Sequence, residues 1–594
     1  MAQKPQSLLG RFLIWRVRHI PQRQFILMLS VIVGLISGTV AVLLKNSVHF
    51  IQALLRGEFL LEFHQLFYFA FPILGILLTV IISRLIIKEP IGDGIPSTLY
   101  AISRRNGIIR SFKMYASVIT SSITVGFGGS VGLEGPTVST GSAIGSNLAR
   151  LMHLNYKSRI LLISCATTGA LSSILQTPIA AVVFAIEIFS LDLTLTSLVP
   201  LLLSSVSGAV MSLFFTGDGY LFPFALQEEF AMTDVPFFIL LGIVAAFFSI
   251  YFNRVYFAVQ AFLERFENPY AKVLIGGLAL GSLIYFIPPL YGEGYETINH
   301  LLNGQVAEVL ENNLFQNFVS NELLVILLLL GLVIFKVFAT SFTLHAGGVG
   351  GIFAPTLFMG SALGFVFARL VNHLGLGQLS ESNFSLVGMA ALLAGVLHAP
   401  LTAIFLIAEV SGGYELFLPL MLVSAISFTV VKAFVPHSVY AITLAKRGEL
   451  ITHDKDRAVL TLMRLDSVIE DNFKAIHPDM SLGELVDVVA RSKRNLFPVL
   501  SADDRLLGVL TLDDFRQIMF QNNLYGTTFV RDLMSAPPDI IAADERMDVV
   551  IKKFQDTGAW NLPVTQEGKY KGFVSKSKLF SVYRRKLIEF SGDQ

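Results

Sequence analysis

Charge is scarce in this chain and cysteine nearly absent. Only 15% of the 594 residues are Asp, Glu, Lys or Arg, against 53% hydrophobic, whereas soluble domains carry about 25% charged residues. The single cysteine, Cys165, lies in an apolar segment. That excludes a disulfide framework and a thiolate metal site. A formal net charge of +1 supplies no global basic field for a nucleic acid. No Gly-Lys-Ser/Thr phosphate loop, HExxH pair or cofactor motif occurs, and the apolar segments offer no Ser-His-Asp set, so the chain is not expected to be an enzyme. His345 and His398 read as helix-end packing residues, and no metal site is expected.

What the chain has in quantity is apolar sequence. Such segments recur at about 25–44, 66–87, 115–127, 160–190, 197–215, 235–257, 271–290, 321–343, 352–372, 384–410 and 416–435. Spanning a bilayer takes about 20 residues. Several segments are shorter than that or broken by Gly or Pro, a pattern of interrupted helices typical of transporters. The start, 1-MAQKPQSLLGRFLIWRVRHIPQRQ-24, is basic, and no cleavable signal is evident. Basic clusters at Arg11–Arg23, Arg104–Lys113, Arg150–Arg159 and Lys446–Arg457 are expected to face the cytoplasm. Both termini are then cytoplasmic. Residues 449–594 are rich in charge and read as a soluble tail.

The apolar part repeats itself. 132-GLEGPTVSTGSAIGSNLARL-151 and 351-GIFAPTLFMGSALGFVFARL-370 share Gly, Pro, Thr, Ser, Ala, Arg and Leu at the constant offset that takes Gly132 to Gly351. A second pair is 176-QTPIAAVVFAIEIFS-190 with 398-HAPLTAIFLIAEVSG-412, and a weaker third is 92-GDGI-95 with 292-GEGY-295. Three pairs in one order indicate a duplicated membrane domain, with halves at about 25–215 and 235–448. An inverted arrangement is the commoner one in transporters. Gly141, Gly145, Gly360 and Gly364, at small-xxx-small spacing, read as close helix packing.

Glu134 stands apart because it aligns with Phe353 in the other half. A carboxylate within an apolar membrane domain is expensive and calls for a function. The glycine-rich turns around it leave unpaired N–H groups at the helix N-termini they open. With the helix dipole, such turns bind an anion without any cationic side chain. Four turns, two per half, converging near the midplane would hold one dehydrated anion.

GDGIP at 92–96, GLEGP at 132–136, GGIFAP at 350–355 and Tyr440 in HSVYAITLAKRG resemble the four anion-site segments of the CLC chloride channels and transporters. The resemblance covers roughly 25–448. It implies an all-α polytopic membrane domain, an inverted repeat of tilted, broken helices, working as a homodimer with one anion pathway per subunit. Glu134 then matches the external gating glutamate, whose carboxylate occupies an anion site until protonation lets it swing away. Gly94, Ile95, Gly132, Leu133, Ile352, Phe353 and Tyr440 match the positions around the anion, with the amides of Ile352 and Phe353 and the phenol of Tyr440 as donors.

Two positions depart from the family. Asp93 stands where serine is common; it acts as a protonated donor, turns to the aqueous vestibule, or serves as a second proton carrier. Ile188 stands where proton-coupled members carry an internal glutamate, and an isoleucine cannot relay a proton. Glu187, beside it, reads either as structural, like Glu409, or as part of a proton pathway with Glu134 and Asp93. Passive chloride conduction is the leading expectation and a proton-coupled Cl⁻/H⁺ antiporter the alternative. A membrane-anchored nucleotide sensor with vestigial transport is the further one.

The tail has its own repeat, 495-NLFPVLSADDRLLGVLTLDDF-515 against 560-WNLPVTQEGKYKGFVSKSKLF-580. Each copy reads as strand, turn, strand and helix start. The pair resembles α/β tandem CBS domains, at about 465–520 and 529–588. Nucleotide-binding CBS pairs use a Gly-h-h-Ser/Thr-x-x-Asp segment. Gly508, Thr511 and Asp514 supply it in the first copy; in the second Ser575 fits, but Lys578 replaces the acid. The expected domains are a cytoplasmic segment 1–24, a transport domain 25–448 and a CBS pair 449–594. The expected partners are chloride or a similar anion, a second copy of the chain and lipid. No cofactor is required, and ATP, ADP or AMP is a candidate regulatory ligand. A compact membrane domain with a short tail suggests a prokaryotic inner membrane.

Overall fold

The structure, a computed structural model, describes residues 8–55, 64–89, 94–191, 194–217, 222, 230–310, 321–412, 414–446, 460 and 463–591. It divides into two compact units, 1–448 and 449–594. Among the described residues the first is built mainly of helices. Its helices are α1 (Leu8–His19), α2 (Gln22–Leu55), α3 (His64–Ile82), α4 (Gly94–Arg104), α5 (Lys113–Gly126), α6 (Glu134–Leu151), α7 (Tyr156–Leu175), α8 (Pro178–Phe189) and α9 (Leu195–Thr216). There follow α10 (Val235–Glu264), α11 (Pro269–Phe286), α12 (Tyr295–Leu302), α13 (Val306–Leu310), α14 (Glu322–His345), α15 (Phe353–His373), α16 (Glu381–Leu397), α17 (Pro400–Val410), α18 (Phe417–Phe434) and α19 (Ile442–Lys446).

Among the described residues, nine helices are long and apolar enough to cross a membrane. Others are not. The apolar run 160–190 splits into α7 and α8 at Gln176, and 384–410 splits into α16 and α17 at His398. Both breaking residues adopt left-handed φ (57° each), and a proline opens the next helix in both cases. A 12-residue helix such as α8 is about 18 Å long and cannot cross about 30 Å of hydrocarbon.

The two halves meet through reciprocal contacts. Gly132 and Gly351 form an antiparallel bridge, N–H to carbonyl in both directions at 2.9 and 2.8 Å. The Ser130 amide donates to Thr343 Oγ1 at 3.2 Å, and the Val349 amide, its counterpart, donates to Thr124 Oγ1 at 3.1 Å. Glu187 accepts from the amides of Leu401 and Thr402 at the start of α17, while Glu409 accepts from those of Ile179 and Ala180 at the start of α8. Each contact maps onto its partner when the halves are exchanged. This two-fold relation is that of the inverted repeat. Within each half the glycines pack as the spacing predicts: a Cβ at Gly145 would meet the Leu162 carbonyl of α7 at 2.5 Å, and one at Gly360 the Gly388 carbonyl of α16 at 2.5 Å.

In the second unit, β1 (Ile469–Glu470), β4 (Ile541–Ala542), β5 (Asn561–Gln566) and β6 (Lys569–Ser575) form a sheet in the order β1-β6-β5-β4. β2 (Leu496–Leu500) and β3 (Leu506–Thr511) form a separate hairpin. The helices are α20 (Leu482–Ala490), α21 (Leu512–Phe515), α22 (Val530–Leu533), α23 (Met547–Thr557) and α24 (Lys576–Ser591). Two apolar cores result, one around Phe497 and Phe515, the other around Phe554 and Val574. β1 belongs to the first repeat but pairs with β6 of the second, which ties the copies together.

Candidate functional site

The Gly132–Gly351 bridge sets the N-termini of α6 and α15 side by side. Leu133 and Ile352 are the N-caps, and neither helix start has a side-chain cap. The first amides of both helices are therefore left for another acceptor. Small residues make the approach possible. A Cβ on Gly94 would strike the Gly135 carbonyl, and one on Gly135 would come within 2.9 Å of the Gly350 carbonyl. The start of α4 thus packs directly on the α6–α15 junction.

Beside this junction is a cavity of about 230 Å³. Gly94, Ile95, Gly135, Gly351, Ile352 and Tyr440 all line it, so segments distant in sequence converge there. Tyr256 and Gln260 of α10 complete the wall. Tyr440 is 6% exposed, and its hydroxyl has no hydrogen-bond partner. A buried unpaired donor costs about 1–3 kcal/mol, so this hydroxyl marks a place for an acceptor. No cationic side chain lines the cavity among the described residues. What it offers an anion is backbone, a phenol and helix N-termini.

Glu134, the first residue of α6, is 2% exposed. Its Oε1 accepts a hydrogen bond from the Tyr295 hydroxyl at 2.5 Å. The backbone amides of Glu134 itself and of Ala354, in the first turn of α15, lie against the carboxylate. Its Oε2 fills the space where a Gly132 side chain would begin. The carboxylate therefore occupies, as an anion would, a position among helix-start amides.

The sequence expectations fare unevenly. Gly94, Ile95, Gly132, Leu133, Ile352, Phe353 and Tyr440 are brought together around the junction and cavity. Asp93 lies outside the described residues. Glu187 does not join them: both its oxygens are engaged by α17, including the Thr402 hydroxyl at 2.5 Å, so it caps that helix as Glu409 caps α8. In the tail, Asp514 Oδ2 accepts from the amide and hydroxyl of Thr511 at 2.6 and 2.7 Å, a capping box at the start of α21. Gly508 lets β3 approach the Ser535 carbonyl. The Ser575 hydroxyl donates to Glu470 at 2.6 Å rather than standing free.

Tyr295 and Lys336 escaped the sequence reading. Tyr295 holds Glu134 and packs edge-on against the fully buried Phe222. Lys336 of α14 is fully buried; its ammonium donates to the carbonyls of Leu290 and Gly292 and lies 4.6 Å from the centre of the Phe358 ring. The signal available was the weak repeat pair GDGI and GEGY, whose second copy begins α12.

Two-fold halves of broken helices, joined at paired helix starts beside a backbone-lined cavity, define a membrane transport protein for a small anion. The voltage gated chloride channel family profile matches residues 75–432, and the CBS domain profile matches 465–520 and 530–585. The chain therefore belongs to the voltage gated chloride channel, or CLC, family of anion transport proteins, a multi-pass membrane protein with a tandem CBS pair. It is 31% identical over 370 residues to a putative chloride channel protein ClcB-like of Ralstonia nicotianae, covering 60% of this chain and 78% of that one. It is 26% identical over 415 residues to the H⁺/Cl⁻ exchange transporter ClcA of Vibrio cholerae, covering 67% and 84%. Among solved structures, a slow cyanobacterial Cl⁻/H⁺ antiporter superposes with a TM-score of 0.60 at 22% identity over 72% of this chain and 98% of that one. A eukaryotic CLC transporter superposes with a TM-score of 0.58 at 18% identity over 96% and 99%.

Proposed function

We propose that the protein is a homodimeric chloride pathway, one per subunit, closed by the Glu134 carboxylate and opened when that carboxylate is protonated. The observation that carries this reading is the position of Glu134, seated among the amides of two helix starts beside the cavity. An ionised carboxylate competes there with chloride; a protonated one does not. The amides of Ile352 and Phe353 and the Tyr440 phenol serve as the donors for the central anion, with Gly94, Ile95, Gly132 and Leu133 shaping the approach.

Conduction is passive in this reading. Ile188 cannot carry a proton, and the adjacent Glu187 is engaged by α17. A proton-coupled antiporter is the second reading, favoured by the similarity to proteins named as H⁺/Cl⁻ exchangers. In that case Asp93 is the acid available to replace the missing internal glutamate. The deciding experiment is the reversal potential of the purified protein in a bilayer, under a chloride gradient and then an added pH gradient, with Glu134→Gln as control. A potential indifferent to pH supports passive conduction. A pH-dependent shift that the variant abolishes establishes coupling, and Asp93→Ser then follows.

Both termini lie in the cytoplasm, and a prokaryotic inner membrane is the setting we assign. The CBS pair binds an adenine nucleotide through Gly508, Thr511 and Asp514, with Ser575 from the second copy. Calorimetry with ATP, ADP and AMP on the wild type and on Asp514→Ala tests this; equal heats for the two proteins would end it.

A further inference from the structure

A second cavity in the membrane unit, of about 630 Å³, is lined by cations. Arg84 and Lys88 reach it from a π-turn, Ser83–Ile87, that ends α3, and Lys272 reaches it from the first turn of α11. Among the described residues no carboxylate forms an ion pair with any of the three. Glu89, the one acid among the described lining residues, is already bound by Arg110. The helix ends do not offset this charge. α11 presents its N-terminus, the positive end of its dipole. The last carbonyls of α14, from Phe342, Thr343 and Leu344, are taken up by the amides of Ala346, Gly348 and Gly347.

The cavity sits where two apolar helices end. Phe67–Ile87 and Pro269–Phe286 are both long and apolar enough to cross a membrane. They pack closely: a Cβ at Gly281 would meet the Phe69 carbonyl at 2.6 Å. Leu85 and Ile86, between the two cations of the π-turn, are exposed, as are Tyr270 and Leu274 on either side of Lys272. Cations set among exposed apolar side chains at helix ends suit the boundary between headgroups and hydrocarbon. Arg110, bound to Glu89, belongs to the Arg104–Lys113 cluster, which the charge pattern assigns to the cytoplasmic side. Chloride would need the cations alone. An anionic lipid needs both features, because its phosphate meets the cations and its chains cover the apolar side chains.

We propose that this cavity holds the phosphate of an anionic phospholipid, with Arg84, Lys88 and Lys272 around the headgroup and the lipid chains along Leu85, Ile86, Tyr270 and Leu274. Basic pockets between spanning helices on the cytoplasmic side suit such headgroups. The guanidinium of Arg84 adds paired donors for two phosphate oxygens. The site stands apart from the Glu134 gate, yet it shares a wall with the anion cavity: Leu344 and Gly350 line both. The His345 ring, on the lipid side of that wall, lies 4.7 Å from the Tyr256 ring on the other.

The test is native mass spectrometry of the full chain in detergent, titrated with phosphatidylglycerol and, separately, with phosphatidylcholine. The wild type is compared with Arg84→Gln/Lys272→Gln and with Arg105→Gln/Lys157→Gln, which removes equal charge away from the cavity. Expected is tighter binding of phosphatidylglycerol than of phosphatidylcholine by the wild type. The cavity variant should lose roughly thirtyfold in that affinity, about fivefold for each charge removed, and the control variant should keep it. Equal binding of the two lipids by the wild type overturns the inference without recourse to any variant. So does an equal loss in the two variants, which would reduce the effect to general surface charge. A parallel titration with inorganic phosphate separates the sources of the phosphate. Phosphate binding that the cavity variant abolishes, beside no preference for phosphatidylglycerol, would assign the cavity to a soluble phosphate and overturn the lipid.

Discussion

At Gly132 a single methyl group is enough to reach the gate, because a Cβ there would overlap the Glu134 carboxylate oxygen. Gly132→Ala is expected to displace that carboxylate and raise chloride efflux at neutral pH toward the level of Glu134→Gln. An unchanged efflux would mean that the side chain does not rest where it blocks the pathway. Tyr295→Phe acts from the other side. It keeps the ring against Phe222 but removes the hydrogen bond to Glu134 Oε1. Hydrogen bonds to charged groups contribute about 1.5–3 kcal/mol, so neutral-pH efflux should rise about tenfold or more. Tyr440→Phe should weaken chloride binding by about fivefold, the equivalent of about 1 kcal/mol for one lost donor. Calorimetry on detergent-solubilised protein reads that change directly.

Between elements, several of the closest approaches are backbone to backbone, and this bears on which glycines tolerate substitution. A Cβ at Gly364 would strike the Phe384 carbonyl of α16 and come within 3.0 Å of Ser385 Cα. Backbone cannot swing aside as a side chain can. Gly364→Ala is expected to cost about 1–3 kcal/mol, by the general penalty for overpacking, and to lower the Tm of the solubilised protein. Gly331 in α14 has nothing within 4 Å of its Cβ position. Gly331→Ala should leave the Tm unchanged or raise it slightly, since alanine is the better helix former. Equal effects at the two sites would contradict the packing described.

At the scale of the whole molecule, each unit is held by contacts that cross its internal repeat. In the membrane unit these are the glycine bridge and the exchanged glutamate caps. In the tail the crossing group is Glu470, on β1 of the first copy. It accepts from Ser575 of the second copy at 2.6 Å and from Arg494 at 2.5 Å. Partial burial pushes its carboxyl up, but the Ser575 hydroxyl and the Arg494 guanidinium outweigh that and hold it below its ordinary value. A carboxyl depressed on folding adds stability above its unfolded value of about 4.3, and that stability is lost as pH falls through the lower folded value. The tail of Glu470→Gln should therefore melt lower than wild type at neutral pH. The gap should close as pH drops below about 4. A gap that stays constant with pH would show that the carboxylate's charge is not what joins the copies.

Sequence alone determined the class of the molecule. Scarce charge, broken apolar runs and a duplicated Gly-Pro pattern leave few alternatives to a two-fold membrane domain, because burial in lipid constrains composition and helix length directly. Glu134 was equally legible, since a carboxylate there is costly and its repeat partner is Phe353. Tertiary structure decided what each polar group does once the halves meet. Glu187 and Glu409 look alike as acids in apolar runs, and only the exchange of α8 and α17 shows that each caps the helix of the other half. Tyr295 lies in a weak repeat pair, and its nearness to Glu134 follows from α12 packing on α15. Lys336 is one lysine in an apolar run until the fold sets the Leu290 and Gly292 carbonyls above it. Burial and periodicity are carried by a chain in its own order, whereas hydrogen-bond partners far apart in sequence exist only when the chain has closed on itself.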